Sequence, residues 1–237
     1  MAQAKTLGRL LLGLAAGWLC LTSPAVSGII LDNFNRSDGT NMGPNWTERA
    51  GDFSILSNRA TGTDYSLMTF IGATSNSVTV DAFPTGTLSY VAIVLGYADL
   101  NNNLFLKVQN QSSTDFGFVA FYFGNNGNNN ASWSQYYFGT LSSSFASARM
   151  TATLSGDTVT VDFDTDFDGT PEQTYSRGSV PLGLLGSGIG LGSWGSATMD
   201  NFSIPGEQVI PEPGTAALFG AALVALAVGL RRRLRSN

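Results

Sequence analysis

Between Asp162 and Gly169 the chain reads Asp-Phe-Asp-Thr-Asp-Phe-Asp-Gly. Asp164, Asp166 and Asp168 stand at alternate positions, with Gly169 directly after them. Alternate carboxylates in a turn can converge on one hard cation, and a glycine permits the sharp bend such a loop needs. With Asp164 as position 1, these residues take positions 1, 3, 5 and 6 of a twelve-residue calcium loop. Glu172 then falls at position 9, and Tyr175 occupies position 12, where a bidentate glutamate is required. The same stretch also reads as a plain acidic hairpin. Thr158–Asp164 would pair with Gln173–Tyr175 across an Asp-Gly turn, leaving the carboxylates facing water.

Two further groups of residues have types suited to chemistry. The run Gly124-Asn125-Asn126-Gly127-Asn128-Asn129-Asn130 precedes Trp133, Tyr136 and Tyr137. Aromatic faces beside amides suit sugar binding, because rings stack on C–H bonds while amides bond hydroxyls; the plainer reading is a flexible hairpin connection flanked by ordinary strand aromatics. Asp162 and Asp164 would share one strand face and so form a carboxylate pair, the minimum for glycoside hydrolysis. The glutamates between the chain ends are Glu48, Glu172 and Glu207, all isolated. No catalytic residue is assigned, and the protein is expected not to be an enzyme.

Composition closes off other chemistry. The chain has no histidine and a single cysteine, Cys20. Between Gly28 and Ile210 there is neither, which rules out a disulfide, a thiol nucleophile, a Ser-His-Asp triad and a histidine zinc site within that stretch. Oxygen ligands remain. The same stretch carries six Lys and Arg against sixteen Asp and Glu, a net charge near −10. Such a body repels nucleic acid and attracts cations.

The elements that must position these residues read as strands. Short β-branched and aromatic runs recur between Asn, Gly and Ser turn signals, with no convincing helical stretch, as expected of an all-β sandwich or barrel. Thirteen runs qualify: Ile29–Phe34, Asp52–Leu56, Tyr65–Phe70, Ser77–Phe83, Ser89–Ala98, Asn103–Gln109, Asp115–Phe123, Ser132–Phe138, Ala148–Leu154, Thr158–Asp164, Gln173–Tyr175, Gly188–Trp194 and Thr198–Ile204. In Ser77–Phe83, Val78, Val80 and Ala82 share one face, and Thr79, Asp81 and Phe83 share the other.

The two ends carry addressing signals. Lys5 and Arg9 precede an apolar stretch from Leu10 to Leu21, and Ala25-Val26-Ser27 offers small residues before Gly28. This is the pattern of a secretory signal peptide over residues 1–27. At the other end, within residues 207–237, Pro211-Glu212-Pro213 precedes an uncharged run of 17 residues, Gly214 to Leu230. As a helix the run spans about 25 Å, the short end of a membrane span. Arg231, Arg232, Arg233 and Arg235 follow as a stop-transfer cluster that stays on the cytoplasmic side.

Three family resemblances rest on these residues. Pro-Glu-Pro, a transmembrane helix and a short basic end, in that order, resemble the PEP-CTERM sorting signal of bacteria. That resemblance implies an exosortase substrate, cut near Pro211–Pro213 by a membrane transpeptidase during export to the cell surface or matrix. The opening Asp32-Asn33-Phe34-Asn35-Arg36 with Gly43-Pro44-Asn45-Trp46 and Gly51-Asp52-Phe53, and the closing Asp200-Asn201-Phe202-Ser203-Ile204, resemble concanavalin A-like lectin/glucanase and laminin-G-like jelly rolls. That resemblance implies two antiparallel sheets over residues 28–206, with the first and last strands close together. The Asp164–Gly169 spacing resembles the calcium loops of EF-hands and dockerins. The expected function is a non-catalytic exported surface or matrix protein associated with exopolysaccharide. The alternative is a lectin-like carbohydrate-binding module, and a glycan hydrolase stands behind both.

Overall fold

The computed structural model describes residues 28–110, 116–124, 136–139 and 146–205. The expected signal peptide over 1–27, the expected sorting motif Pro211–Pro213, the expected span 214–230, the arginine cluster and Trp133 lie outside the described residues. Among the described residues, no helix is long and apolar enough to cross a membrane.

The described chain is all-β, with one 3-10 turn at Leu182–Leu184 noted among its strands. One sheet holds eight strands: β1 (Ile29–Asp32), β3 (Phe53–Leu56), β4 (Arg59–Gly62), β6 (Ser77–Pro84), β11 (Ala148–Ser155), β12 (Thr158–Asp164), β13 (Gln173–Arg177) and β15 (Ala197–Ile204). Its order is β13-β12-β11-β6-β15-β4-β3, with β1 also on β15. The other sheet holds seven strands: β2 (Trp46–Ala50), β5 (Ser66–Phe70), β7 (Tyr90–Asp99), β8 (Asn102–Asn110), β9 (Phe116–Phe123), β10 (Tyr136–Gly139) and β14 (Gly188–Trp194). Its order is β10-β9-β8-β7-β14-β5-β2, and every pairing in both sheets is antiparallel.

Strand periodicity decides which side chains fill the space between the sheets. Val78, Val80 and Ala82 of β6 point inward with Met150 and Ala152 of β11 and Val159, Val161 and Phe163 of β12. They meet Ile93, Leu106, Phe121 and Leu191 from the seven-stranded sheet. The intervening residues of β6, β11 and β12 are Ser, Thr, Asp and Arg, with Phe83 near the end of β6, and they form the outer face of the eight-stranded sheet. The central strands of the seven-stranded sheet differ. Tyr90 to Leu95 is apolar without alternation because both faces are buried, as a strand inside a layered structure requires. Tyr90, Ala92, Val94, Phe105, Ala120 and Tyr122 form a second apolar cluster on the far side.

The motifs at the two ends of the domain meet in space. β1 pairs with β15, Ile29 opposite Ile204, so the first and last strands are neighbours, as the jelly-roll resemblance implies. Asp32 accepts hydrogen bonds from Arg36 at 3.0 and 2.8 Å and from Trp46 Nε1 at 2.7 Å. Trp46 packs on Phe34, Phe70 and Phe202 with ring centroids 5.7, 5.0 and 4.9 Å away. Asp32, Phe34, Trp46 and Phe202 of these motifs are therefore structural: they close one end of the core.

Two strands escape the sequence reading. β2 is Trp-Thr-Glu-Arg-Ala and β4 is Arg-Ala-Thr-Gly, too polar and too short to register as β-branched runs. Tertiary pairing with β5 and with β3 and β15 makes them strands.

Candidate metal centre and adjoining groove

The aspartate stretch is a hairpin whose connection gathers carboxylates. β12 and β13 pair from Val159↔Arg177 to Phe163↔Gln173, and the backbone N–H of Glu172 donates to the Phe163 carbonyl at 2.9 Å. The connection 165–172 is thus short. It returns Glu172, at position 9, to the start of the loop, where a longer loop would place position 12. Tyr175 is elsewhere: it lies in β13, edge-on to Phe163 at 6.1 Å, with its hydroxyl donating to Gln173.

Local hydrogen bonds fold the loop over its own carboxylates. Asp164 accepts from the N–H groups of Asp168 and Gly169 at 3.2 and 2.9 Å. Asp166 accepts from the Asp168 N–H, and Asp168 from the Thr170 N–H. Gly169 has φ +93°, a conformation that side chains rarely adopt. Glu172 accepts from the Thr165 N–H and hydroxyl at 2.6 and 2.9 Å. The Thr165 N–H bond is the main influence holding the Glu172 carboxyl below its usual range.

As a result, one carboxylate oxygen from each of Asp164, Asp166, Asp168 and Glu172 lies within 4.8 Å of the others. Two oxygens bound to one calcium ion at 2.3–2.6 Å can be at most about 5 Å apart, so the four carboxylates are spaced within the range that one ion requires. The donors are all hard oxygens, with no histidine or cysteine nearby to favour zinc. These residues fit calcium. Asp164 is buried while its three partners are exposed, which leaves the solvent side open to water or further ligands.

Asp164 also ties the loop to the sheet. It is the cross-strand partner of Arg149, which is in turn the partner of Asp81. Arg149 donates through Nε and Nη2 to Asp81 at 2.9 and 3.4 Å, and its guanidinium lies 5.3 Å over the Phe167 ring. Asn201 Nδ2 donates to Asp81 at 2.8 Å. Asn201 reaches this face because a bulge interrupts β15 between Asp200 and Ser203, with φ +51° at Asn201.

Beside the loop, on this outer face, runs a groove of about 630 Å³ lined by Arg149, Thr151, Asp162, Asp164, Asn201 and other residues. Asp162 accepts from the Thr174 hydroxyl at 2.6 Å. The pair Asp162 and Asp164 thus shares a face, as the sequence suggests, but each already serves a hydrogen-bond network. Sequence reasoning missed Arg149 and Asn201: nothing in their local sequence signals that a four-strand register brings them beside the aspartates.

The second aromatic group is only partly placed. Tyr136 and Tyr137 lie in β10 at the edge of the seven-stranded sheet, opposite Phe121 and Ala120. An aromatic stack that the sequence did not single out runs along that sheet: Tyr65 on Trp194 at 5.9 Å, and Trp194 on Tyr90 at 6.4 Å.

No family model matches the chain, and no curated protein matches it. Among solved structures, the carbohydrate binding module CBM66 from Bacillus subtilis is similar at 16% identity and TM-score 0.47, covering 67% of this chain and 91% of that one. The Ca2+-bound exoplasmic/lumenal domain of VIP36 is similar at 11% identity and TM-score 0.46, covering 76% and 91%. The apo Crh5 transglycosylase is similar at 15% identity and TM-score 0.47, covering 78% and 86%. The similarity is one of general shape.

Proposed function

We propose that this protein is a calcium-binding, non-catalytic β-sandwich that binds carbohydrate outside the cell. The observation that carries this reading is the convergence of Asp164, Asp166, Asp168 and Glu172 at the edge of a polar groove. Calcium supplies a doubly charged hard centre there. The chain's own residues hold it, fix the loop 165–172 against the sheet, and keep that wall of the groove in place.

A non-catalytic role is supported by how the carboxylates are used. Glu48 accepts from the Phe53 N–H, Glu172 from Thr165, Asp162 from Thr174, and Asp81 from Arg149 and Asn201. No glutamate shares strand β12 with Asp162 and Asp164, so the paired-glutamate strand of the glycanase pattern is lacking there. Export and sorting rest on the two chain ends: residues 1–27 as a signal peptide, and Pro211-Glu212-Pro213 with its apolar and basic tail as an exosortase substrate. The partner on the cell surface is then exopolysaccharide.

A glycan array probed with the purified protein, in millimolar calcium and again in EDTA, tests the reading. It expects binding in calcium that falls in EDTA. Absence of binding to every glycan in calcium would reject carbohydrate recognition.

A further inference from the structure

The groove itself points to a ligand class. Its floor is made by strand register. Asp162, Thr151, Thr79 and Ser203 are successive cross-strand partners on β12, β11, β6 and β15, and so form one row. Asp164 and Arg149 begin a second row, two residues or about 7 Å along the strands. Gly169 and Pro171 of the aspartate loop stand on one side, Ile204 and Pro205 on another. The volume of about 630 Å³ falls in the usual range of small-molecule sites, about 300–1,000 Å³.

Every side chain of the floor is a hydrogen-bonding group. Thr79 and Thr151 share one bond at 2.9 Å, leaving acceptor capacity on both hydroxyls. Arg149 uses Nε and Nη2 on Asp81 and offers its remaining donors. Asn201 gives Nδ2 to Asp81, leaving its side-chain oxygen as an acceptor. Asp162 has one oxygen engaged by Thr174 and the other available. Two carboxylates against one guanidinium disfavour an anion. No aromatic ring is among the described lining residues, which disfavours a flat apolar ligand. A hydroxyl group both donates and accepts, so a neutral polyol satisfies carboxylate, guanidinium and amide together without burying a charge.

We propose that this groove takes a neutral saccharide, with sugar hydroxyls donating to Asp162 and Asn201 Oδ1 and accepting from Arg149. The proposal rests on the carbohydrate-binding reading and deepens it by naming the site and the sugar class. Calcium acts through the wall: the loop that supplies Gly169 and Pro171 is the loop the ion would hold.

The test uses the full chain in calcium, probed with neutral glucan, mannan, galactan and xylan oligosaccharides and with oligogalacturonate as the acidic counterpart. Asp162→Asn keeps an acceptor for Thr174 and should melt near the wild type; Asn201→Gly keeps the positive φ but takes a donor from buried Asp81 and should melt lower, so its binding is read well below its own Tm. Binding of a neutral oligosaccharide that weakens about tenfold or more in either variant is the expected result. Neutral binding unchanged in both variants would overturn the groove while leaving carbohydrate recognition intact. Binding confined to oligogalacturonate would overturn the neutral class. No binding to any probe would remove the underlying reading and the proposal with it.

Discussion

At the scale of single residues, much of the aspartate chemistry near the chain ends is structural. Burial pushes the Asp32 carboxyl up, but bonds from Arg36, Trp46 and the Phe34 N–H outweigh it and hold the group below its ordinary value. Trp46→Phe keeps a ring against Phe34, Phe70 and Phe202 yet leaves Asp32 one donor short. It should lower stability by about 1–3 kcal/mol in urea melts. Asp200 behaves oppositely. Burial first, then the nearby Asp81 and Asp32 carboxylates, raise its pKa despite help from the Asn201 N–H and Arg59. The native state therefore holds that proton more tightly than the unfolded chain, and this contribution to stability disappears as pH rises through the native pKa. Asp200→Asn should raise Tm at neutral pH, with the gain shrinking as pH falls toward the carboxylate range; an equal gain at every pH would contradict the assignment. The Asp-Asn-Phe motifs at Asp32 and Asp200 were visible in the sequence, and the jelly-roll resemblance implied that their strands lie close together. Only the pairing of β1 with β15 brings residues so distant along the chain together.

At the scale of elements, the alternation of β6, β11 and β12 was legible, because a period of two with Val, Ala and Met on one face and Thr on the other has a single sensible orientation. The strands β2 and β4 were not, since neighbours rather than composition define them. The aspartate loop was legible as spacing. What spacing alone left open was how a calcium loop lacking a position-12 glutamate would close. The β12–β13 hairpin answers this by turning back at Glu172. Gly169 at φ +93° is the hinge of that turn. Gly169→Ala should cost about 1–3 kcal/mol and weaken calcium binding, seen as a smaller rise in Tm on adding calcium. A variant with an undiminished rise would show that the turn does not set the ligand geometry. The register that gathers Arg149, Thr151, Thr79 and Asn201 into a groove was out of reach, because cross-strand partners 50 or more residues apart leave no local trace (Arg149 opposite Asp81, for instance).

At the scale of the whole molecule, an acidic body lies between two ends that we propose as addressing signals. Glu212→Ala removes the acidic residue of Pro211-Glu212-Pro213 and leaves the apolar run intact, so uncut protein should accumulate in the membrane, read by intact mass; unchanged release would reduce the tail to a plain anchor. The net charge near −10 over Gly28–Ile210 favours a cation over a polyanion at the surface, in keeping with the calcium centre and the neutral-sugar groove proposed above. Calorimetric titration of calcium into EDTA-stripped protein, followed by melting with and without the ion, tests this account most directly. One ion should bind, Asp164→Asn should lose it, and at a hundredfold excess over Kd the ion should add about 2.7 kcal/mol to stability. No heat of binding and an unchanged melt at millimolar calcium would mean that the four carboxylates merely decorate a hairpin.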